Sequence, residues 1–89
     1  MLWDYVRLDD DTQIAYSAVQ DDGTVKIAVE RPIDFDFDHA ECSLPGLSWH
    51  DVSGFTPHEL EWLSEFIRSN SPLIFELAER RSEGGKAVA

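Results

Sequence analysis

The chain has 89 residues and carries 18 acidic against seven basic side chains, a formal net charge of −11. This length allows one domain, and an apolar fraction of 43% is too high for an intrinsically disordered acidic chain. The single cysteine excludes an internal disulfide and a multi-cysteine zinc site. The apolar runs are too short for a membrane-spanning helix or for the core of a signal peptide. We therefore expect a cytoplasmic protein.

The first half of the sequence predicts an antiparallel meander of short strands. The pair Asp22-Gly23 favours a tight hairpin, and the run that follows it alternates between apolar and polar residues. Arg31-Pro32 interrupts this run because proline has no amide hydrogen to donate. Residues 45–54 are predicted as a loop. The predicted strands cover residues 3–8, 13–19, 24–30 and 34–44.

The second half of the sequence predicts two helices. Thr56 and Glu59 have the spacing of a capping box, and Pro57 occupies the first helical position, where its missing amide hydrogen costs nothing. Ser71-Pro72 repeats this start signal and predicts a second helix that reaches about residue 81.

These elements together predict an α+β fold. We expect about four antiparallel strands in a meander, followed by two C-terminal helices packed on one face of the sheet. Residues 1–81 would form a single acidic domain. Residues 82–89 contain Gly84-Gly85 and no periodic apolar positions, which predicts a flexible C-terminal tail.

Two motifs resemble metal sites but are incomplete. The Asp-x-Asp-x-Asp run at residues 34–38 opens like a calcium loop, but His39 stands where that loop needs glycine and Pro45 where it needs glutamate. His39 and Glu41 match the His-x-Glu of zinc deaminases, whose site also requires two further cysteines. We therefore predict neither a metal nor a cofactor.

Catalytic candidates are equally sparse. His50, His58 and Asp51 would form a general-base or metal-binding group only if the fold brought them into one cleft. The sequence contains no phosphate-binding glycine loop and no nucleophile elbow. We predict that the protein is not an enzyme.

Charge is distributed unevenly along the chain. Residues 1–67 hold fifteen acids and three bases, a net charge of −12, whereas residues 68–89 hold three acids and four bases, a net charge of +1. Such a field repels nucleic acids and anionic membranes and attracts basic protein surfaces. The candidate acidic partner-binding residues are Asp9, Asp10, Asp11, Asp21, Asp22, Asp34, Asp36 and Asp38.

In size and charge the chain is similar to phage-encoded anti-CRISPR and anti-restriction proteins, a resemblance of class that involves no shared motif. It implies an inhibitor that occupies the basic surface of a nucleic-acid-handling protein or complex. Such an inhibitor acts as a nucleic-acid mimic when its carboxylates reproduce the phosphate pattern. The competing explanation is that the acids only keep the protein soluble.

The alternative hypothesis is an antitoxin or accessory subunit that binds a protein partner through its helices and aromatic side chains. Exposed aromatic residues are enriched at the energetic centres of interfaces, although the same residues also complete small cores. The number of subunits, one or two, stays open. The candidate aromatic residues are Trp3, Tyr5, Trp62 and Phe75.

Overall fold

The computed structural model describes the backbone of residues 1–88 and the side chains of residues 1–82. Five strands precede one helix: β1 (Trp3–Arg7), β2 (Gln13–Val19), β3 (Val25–Ile33), β4 (Asp36–Leu44), β5 (His50–Ser53) and α1 (Pro57–Val88). The strands form one sheet in the order β1-β2-β3-β4-β5, and each pair is antiparallel. The predicted α+β class and meander are confirmed. The predicted numbers of strands and helices are wrong.

The fifth strand lies within the segment that the sequence predicted as a loop. β5 has four residues, all exposed, so no apolar alternation marks it in the sequence. Its pairing with β4 is also irregular, because His39 lies opposite Ser53 whereas Glu41 lies opposite His50. Three residue steps on β5 therefore match two on β4, which is a β-bulge.

A single helix replaces the two that Ser71-Pro72 predicted. Pro72 lacks the amide hydrogen that would bind the carbonyl of Arg68, and the hydroxyl of Ser71 donates to that carbonyl instead, at 3.0 Å. A proline inside a helix lowers its stability by about 3 kcal/mol. Burial of a large apolar side chain contributes about 1.5–3 kcal/mol, so a few such side chains offset this cost. The buried stripe that continues past Pro72 consists of Leu63, Ile67, Ile74 and Ala78.

The start of α1 is the predicted capping box. The amide of Glu59 donates to the hydroxyl of Thr56 at 3.1 Å, and the amide of Thr56 donates to the Glu59 carboxylate at 3.0 Å. Each residue thus satisfies a backbone donor that the first helical turn leaves free. The chain consequently enters the helix directly after β5.

The core lies between α1 and one face of the sheet, called here the helix face. Val25, Ile27 and Val29 of β3 point into it and are fully buried, as their alternation predicted. Trp49, in the loop before β5, closes one edge by donating its indole hydrogen to Ser64 of α1 at 2.7 Å. The opposite face, which carries the exposed side chains of Lys26 and Glu30 of β3, is called the open face.

The connections divide the sheet into two ends. The aspartate end contains the β1–β2 turn, the β3–β4 turn and the start of α1; the opposite end contains the β2–β3 turn and the β4–β5 loop. α1 runs from the first to the second, where the Ser82 hydroxyl accepts from the amide of Val19 at 3.2 Å. Among the described residues, no helix has an apolar stretch long enough to cross a membrane.

β3 continues past the predicted interruption at Arg31-Pro32. β2 pairs with β3 only as far as Glu30, so residues 31–33 pair with β4 alone and form a projecting hairpin with residues 34–38. Proline is tolerated here because this part of β3 is an edge on one side. α1 continues to Val88, past the predicted end near residue 81. The prediction of a flexible tail at residues 82–89 stays a prediction.

Candidate partner-binding site

The turns separate the eight predicted aspartates into two groups. The β1–β2 turn and the projecting hairpin bring most of them to the aspartate end, whereas the β2–β3 turn places two at the opposite end. The first group is Asp9, Asp10, Asp11, Asp34, Asp36 and Asp38, and the second is Asp21 and Asp22.

Asp38 is buried and paired inside the protein. Its carboxylate accepts from two nitrogens of Arg31, at 2.8 and 2.6 Å, and Arg31 also donates to Glu59 at 2.5 Å. The hydrogen bond with Arg31 lowers the pKa of Glu59 to about 2, and the same bond raises the pKa of Arg31. Asp10 lies 3.9 Å from Arg31. One cation therefore stabilises three carboxylates at the aspartate end.

The burial of Asp38 follows from which face of β4 points toward the helix. The sequence placed the aspartates and the phenyl rings of residues 34–38 on opposite faces of one strand, but Asp34 and Phe35 lie in the β3–β4 turn. Within β4, Asp38 lies on the helix face with Ala40. Gly54 borders it with a φ of +91°, and a Cβ at Gly54 would overlap the Asp38 carboxylate. The connection between β5 and α1 therefore needs glycine next to the ion pair.

The projecting hairpin exposes two phenyl rings between two carboxylates. Phe35 is fully exposed and Phe37 is 58% exposed, while Asp34 and Asp36 alternate with them along the chain. Sequence reasoning did not predict this apolar tip. The available signal was register, since the hairpin pairs Gln13, the first residue of β2, with Glu30 and leaves the end of β3 without a partner on β2.

A groove of about 660 Å³ lies between the β1–β2 turn and the first turns of α1. Asp9 and Asp10 line one side and Trp62 lines the other. Trp62 is 53% exposed and stacks on Phe66, with ring centroids 5.4 Å apart. The acidic and the aromatic candidate residues, which belong to two alternative hypotheses, therefore meet at this groove.

The other three aromatic candidates are partly buried. The Tyr5 hydroxyl donates to Asn70 of α1 at 2.6 Å, and the guanidinium of Arg81 lies 4.9 Å from the ring centroid of Trp3. Phe75 packs against the core. These contacts attach the sheet to the helix, so Trp62 is the member of the predicted set that offers an exposed ring.

The three catalytic candidates occupy two places. His50 and Asp51 are neighbours at the start of β5, with Nδ1 and Oδ2 3.3 Å apart, and Glu41 of β4 lies beside them. His58 lines the groove at the aspartate end. Cys42 points into the core, where burial raises the pKa of its thiol to about 12.

Comparison of the chain with known protein families, with curated proteins and with solved structures gave no match.

Proposed function

We propose that this chain is a small cytoplasmic binding protein that inhibits a nucleic-acid-handling protein or complex by occupying its basic surface. The observation that supports this proposal is the aspartate end, where exposed carboxylates from two turns flank an exposed aromatic tip. The carboxylates are Asp9, Asp10, Asp11, Asp34 and Asp36.

The two kinds of side chain have separate roles in such a complex. Carboxylates attract a basic partner from a distance and exclude acidic ones, which raises the association rate more than the affinity. Phe35 and Phe37 supply the apolar area that turns an encounter into a stable contact, and their faces also attract lysine and arginine. Phe35 would be the anchor, because it is fully exposed before binding.

Nucleic-acid mimicry is the more specific form of this proposal. Same-face carboxylates along a strand repeat every ~6.6 Å, two residues at ~3.3 Å each, while phosphates along one DNA strand repeat every ~3.4 Å. One strand is therefore too sparse, and mimicry needs the β1–β2 turn and the projecting hairpin to act together. Both lie at the aspartate end, whereas Asp21 and Asp22 lie at the opposite end and would not take part.

The test compares two variants with the same change in charge. Asp34→Asn/Asp36→Asn removes two carboxylates from the projecting hairpin, and asparagine tolerates the φ of +23° at position 34. The control Asp21→Asn/Glu79→Gln removes two exposed carboxylates, from the β2–β3 turn and from the distal part of α1. Asp38 is left unchanged because its loss would disrupt the Arg31 ion pair.

Each tagged variant is used to capture partners from host lysate at low and high salt, with duplex DNA as a competitor. The proposal predicts a nucleic-acid-binding partner that the wild type and the control capture, that the hairpin variant loses, and that high salt or DNA releases. Equal capture by the hairpin variant and the control would refute the charge-based mechanism.

The groove supports a second candidate, an antitoxin or accessory subunit that binds its partner through α1. An apolar recess with an exposed tryptophan is typical of a site that accepts an apolar side chain. In that case Trp62→Ala removes the partner at every salt concentration, and Leu73→Ala, which alters another exposed apolar residue of α1, does not. Release by salt and retention by Trp62→Ala would exclude this candidate.

A further inference from the structure

One cluster of potential metal ligands lies outside the aspartate end. Glu41 of β4 and the consecutive residues His50 and Asp51 of β5 each offer one donor atom, and these atoms lie within 4.8 Å of one another. Glu41 and His50 are cross-strand partners in the β4–β5 ladder. The cluster combines an imidazole with two carboxylates and is accessible from the open face.

The β-bulge explains why two consecutive residues point the same way. In a regular strand, neighbouring side chains project from opposite faces. Asp51 instead has a φ of +53° and is part of the extra length that β5 inserts opposite β4. Bulges redirect side chains in this manner, and here the carboxylate of Asp51 turns toward the imidazole of His50.

The donor atoms have suitable chemistry and nearly suitable spacing. Zinc binds imidazole and carboxylate donors at about 2.0–2.2 Å, so two ligands of a tetrahedral ion lie about 3.3–3.6 Å apart. The 3.3 Å between His50 and Asp51 matches this separation. The donor atom of Glu41 lies within 4.8 Å of the other two, which makes Glu41 the third candidate ligand.

Two neighbouring side chains contact the carboxylate of Glu41. His39 lies 2.9 Å from one carboxylate oxygen and Lys26 lies 3.5 Å from the other. Partners of this kind orient a ligating carboxylate and restrict its motion, which reduces the entropy lost when a metal binds. Each oxygen has a second lone pair, so an ion can bind one of them while His39 keeps its contact.

We propose that Glu41, His50 and Asp51 bind one Zn²⁺ ion, with water in the remaining coordination position. The ion connects β5, an exposed edge strand of four residues, to β4. The site does not depend on the proposed inhibitory function, because it lies on the open face and shares no residue with the aspartate end. Either proposal can fail without the other.

The experiment titrates chelator-treated protein with Zn²⁺ alone, followed by calorimetry and by NMR of the imidazole nitrogens. His50→Ala removes an exposed ligand, and Asp51→Asn weakens a second one while keeping a residue that tolerates the left-handed backbone. His58→Ala is the matched control, since His58 is an exposed histidine that lines the groove instead.

We expect one Zn²⁺ per chain and selective shifts of the His50 nitrogens. His50→Ala should weaken binding by more than about tenfold, because even second-shell partners change metal affinity by about 10–100-fold. Asp51→Asn should also weaken it, and His58→Ala should leave it unchanged. The proposal is overturned by wild-type affinity in His50→Ala, by shifts confined to His39 or His58, or by the lack of saturable binding at millimolar Zn²⁺.

Discussion

At the scale of single residues, Arg31 organises the aspartate end. Its guanidinium contacts Asp38 and Glu59, lies 3.9 Å from Asp10, and rests 4.6 Å from the ring centroid of Phe55. Without this cation the carboxylates would repel each other, and Asp38 would be a buried charge without a partner. Arg31 therefore offsets the charge of the carboxylates inside the aspartate end, and the exposed negative charge lies in the turns.

The Arg31–Glu59 pair leads to a prediction about acid unfolding. The folded protein lowers the pKa of Glu59 from 4.5 to about 2, so its contribution to stability is complete above pH 4.5 and disappears as the pH falls toward 2. Glu59→Gln should lower the free energy of unfolding at neutral pH and make it less dependent on pH within this window. Urea unfolding of both proteins between pH 2 and 7 measures the difference.

Two features make this comparison specific. Glutamine is accepted at the fourth position of a capping box, so Glu59→Gln retains the start of α1. Glu61→Gln, an exposed residue in the same helical turn, controls for the loss of one negative charge. If the stability curves of wild type and Glu59→Gln ran parallel from pH 4.5 to 2, the ion pair would not contribute to folding.

At the scale of elements, the connection from β5 to α1 depends on Gly54. Its φ of +91° costs an L-residue about 1–2 kcal/mol, and a Cβ there would displace the Asp38 carboxylate from Arg31. Loss of a buried ion pair costs about 3–5 kcal/mol, so Gly54→Ala, which combines both effects, should lower the free energy of unfolding by about 4–7 kcal/mol.

The matched control for Gly54 is Gly46→Ala in the β4–β5 loop. A Cβ at Gly46 meets no atom within 4 Å, and we expect a change of less than about 1 kcal/mol. Chemical denaturation followed by tryptophan fluorescence measures both variants. Similar unfolding midpoints for the two would show that Gly54 tolerates a side chain and that the close approach to Asp38 does not constrain this connection.

The helix illustrates how packing outweighs a local signal. Ser71-Pro72 has the composition of a helix start, and local reasoning alone cannot distinguish a new helix from a proline within a continuing one. The apolar spacing of Ile67 and Ile74 on either side of the proline carried the necessary information. β5 had no comparable pattern, because its pairing with β4 is irregular and its four side chains are exposed.

At the scale of the whole molecule, the net charge of −11 should act on the rate of association. The Debye length falls from about 30 Å at 0.01 M salt to about 8 Å at 0.15 M. Added salt therefore screens the long-range attraction between the acidic protein and a basic partner. For a basic partner, the association rate should fall by about tenfold or more over this range, with a smaller change in the dissociation rate. Stopped-flow measurements with the captured partner give both rates.

The hairpin variant supplies the control for this measurement. Asp34→Asn/Asp36→Asn should reduce both the association rate and its dependence on salt, and Asp21→Asn/Glu79→Gln should reduce them less. An association rate that does not change with salt would mean that the acids keep the protein soluble without guiding it to a partner.

The sequence by itself determined the features that depend on residues close together in the chain. The Asp22-Gly23 hairpin, the alternation of β3 and the capping box of Thr56 and Glu59 are stabilised by local turn geometry and short-range hydrogen bonds. The net charge and the α+β class follow from composition and periodicity in the same way.

Only the tertiary structure decided which face of β4 the helix covers. Alternation shows that Asp38 and Phe37 point in opposite directions, but it does not show which of them meets the core. Burial of the Asp38 carboxylate is possible because Arg31 of β3 pairs with it across the hairpin and Glu59 of α1 binds the same guanidinium. Contacts between separate elements of the fold therefore determined which acids pair inside the protein and which aromatic rings remain exposed for a partner.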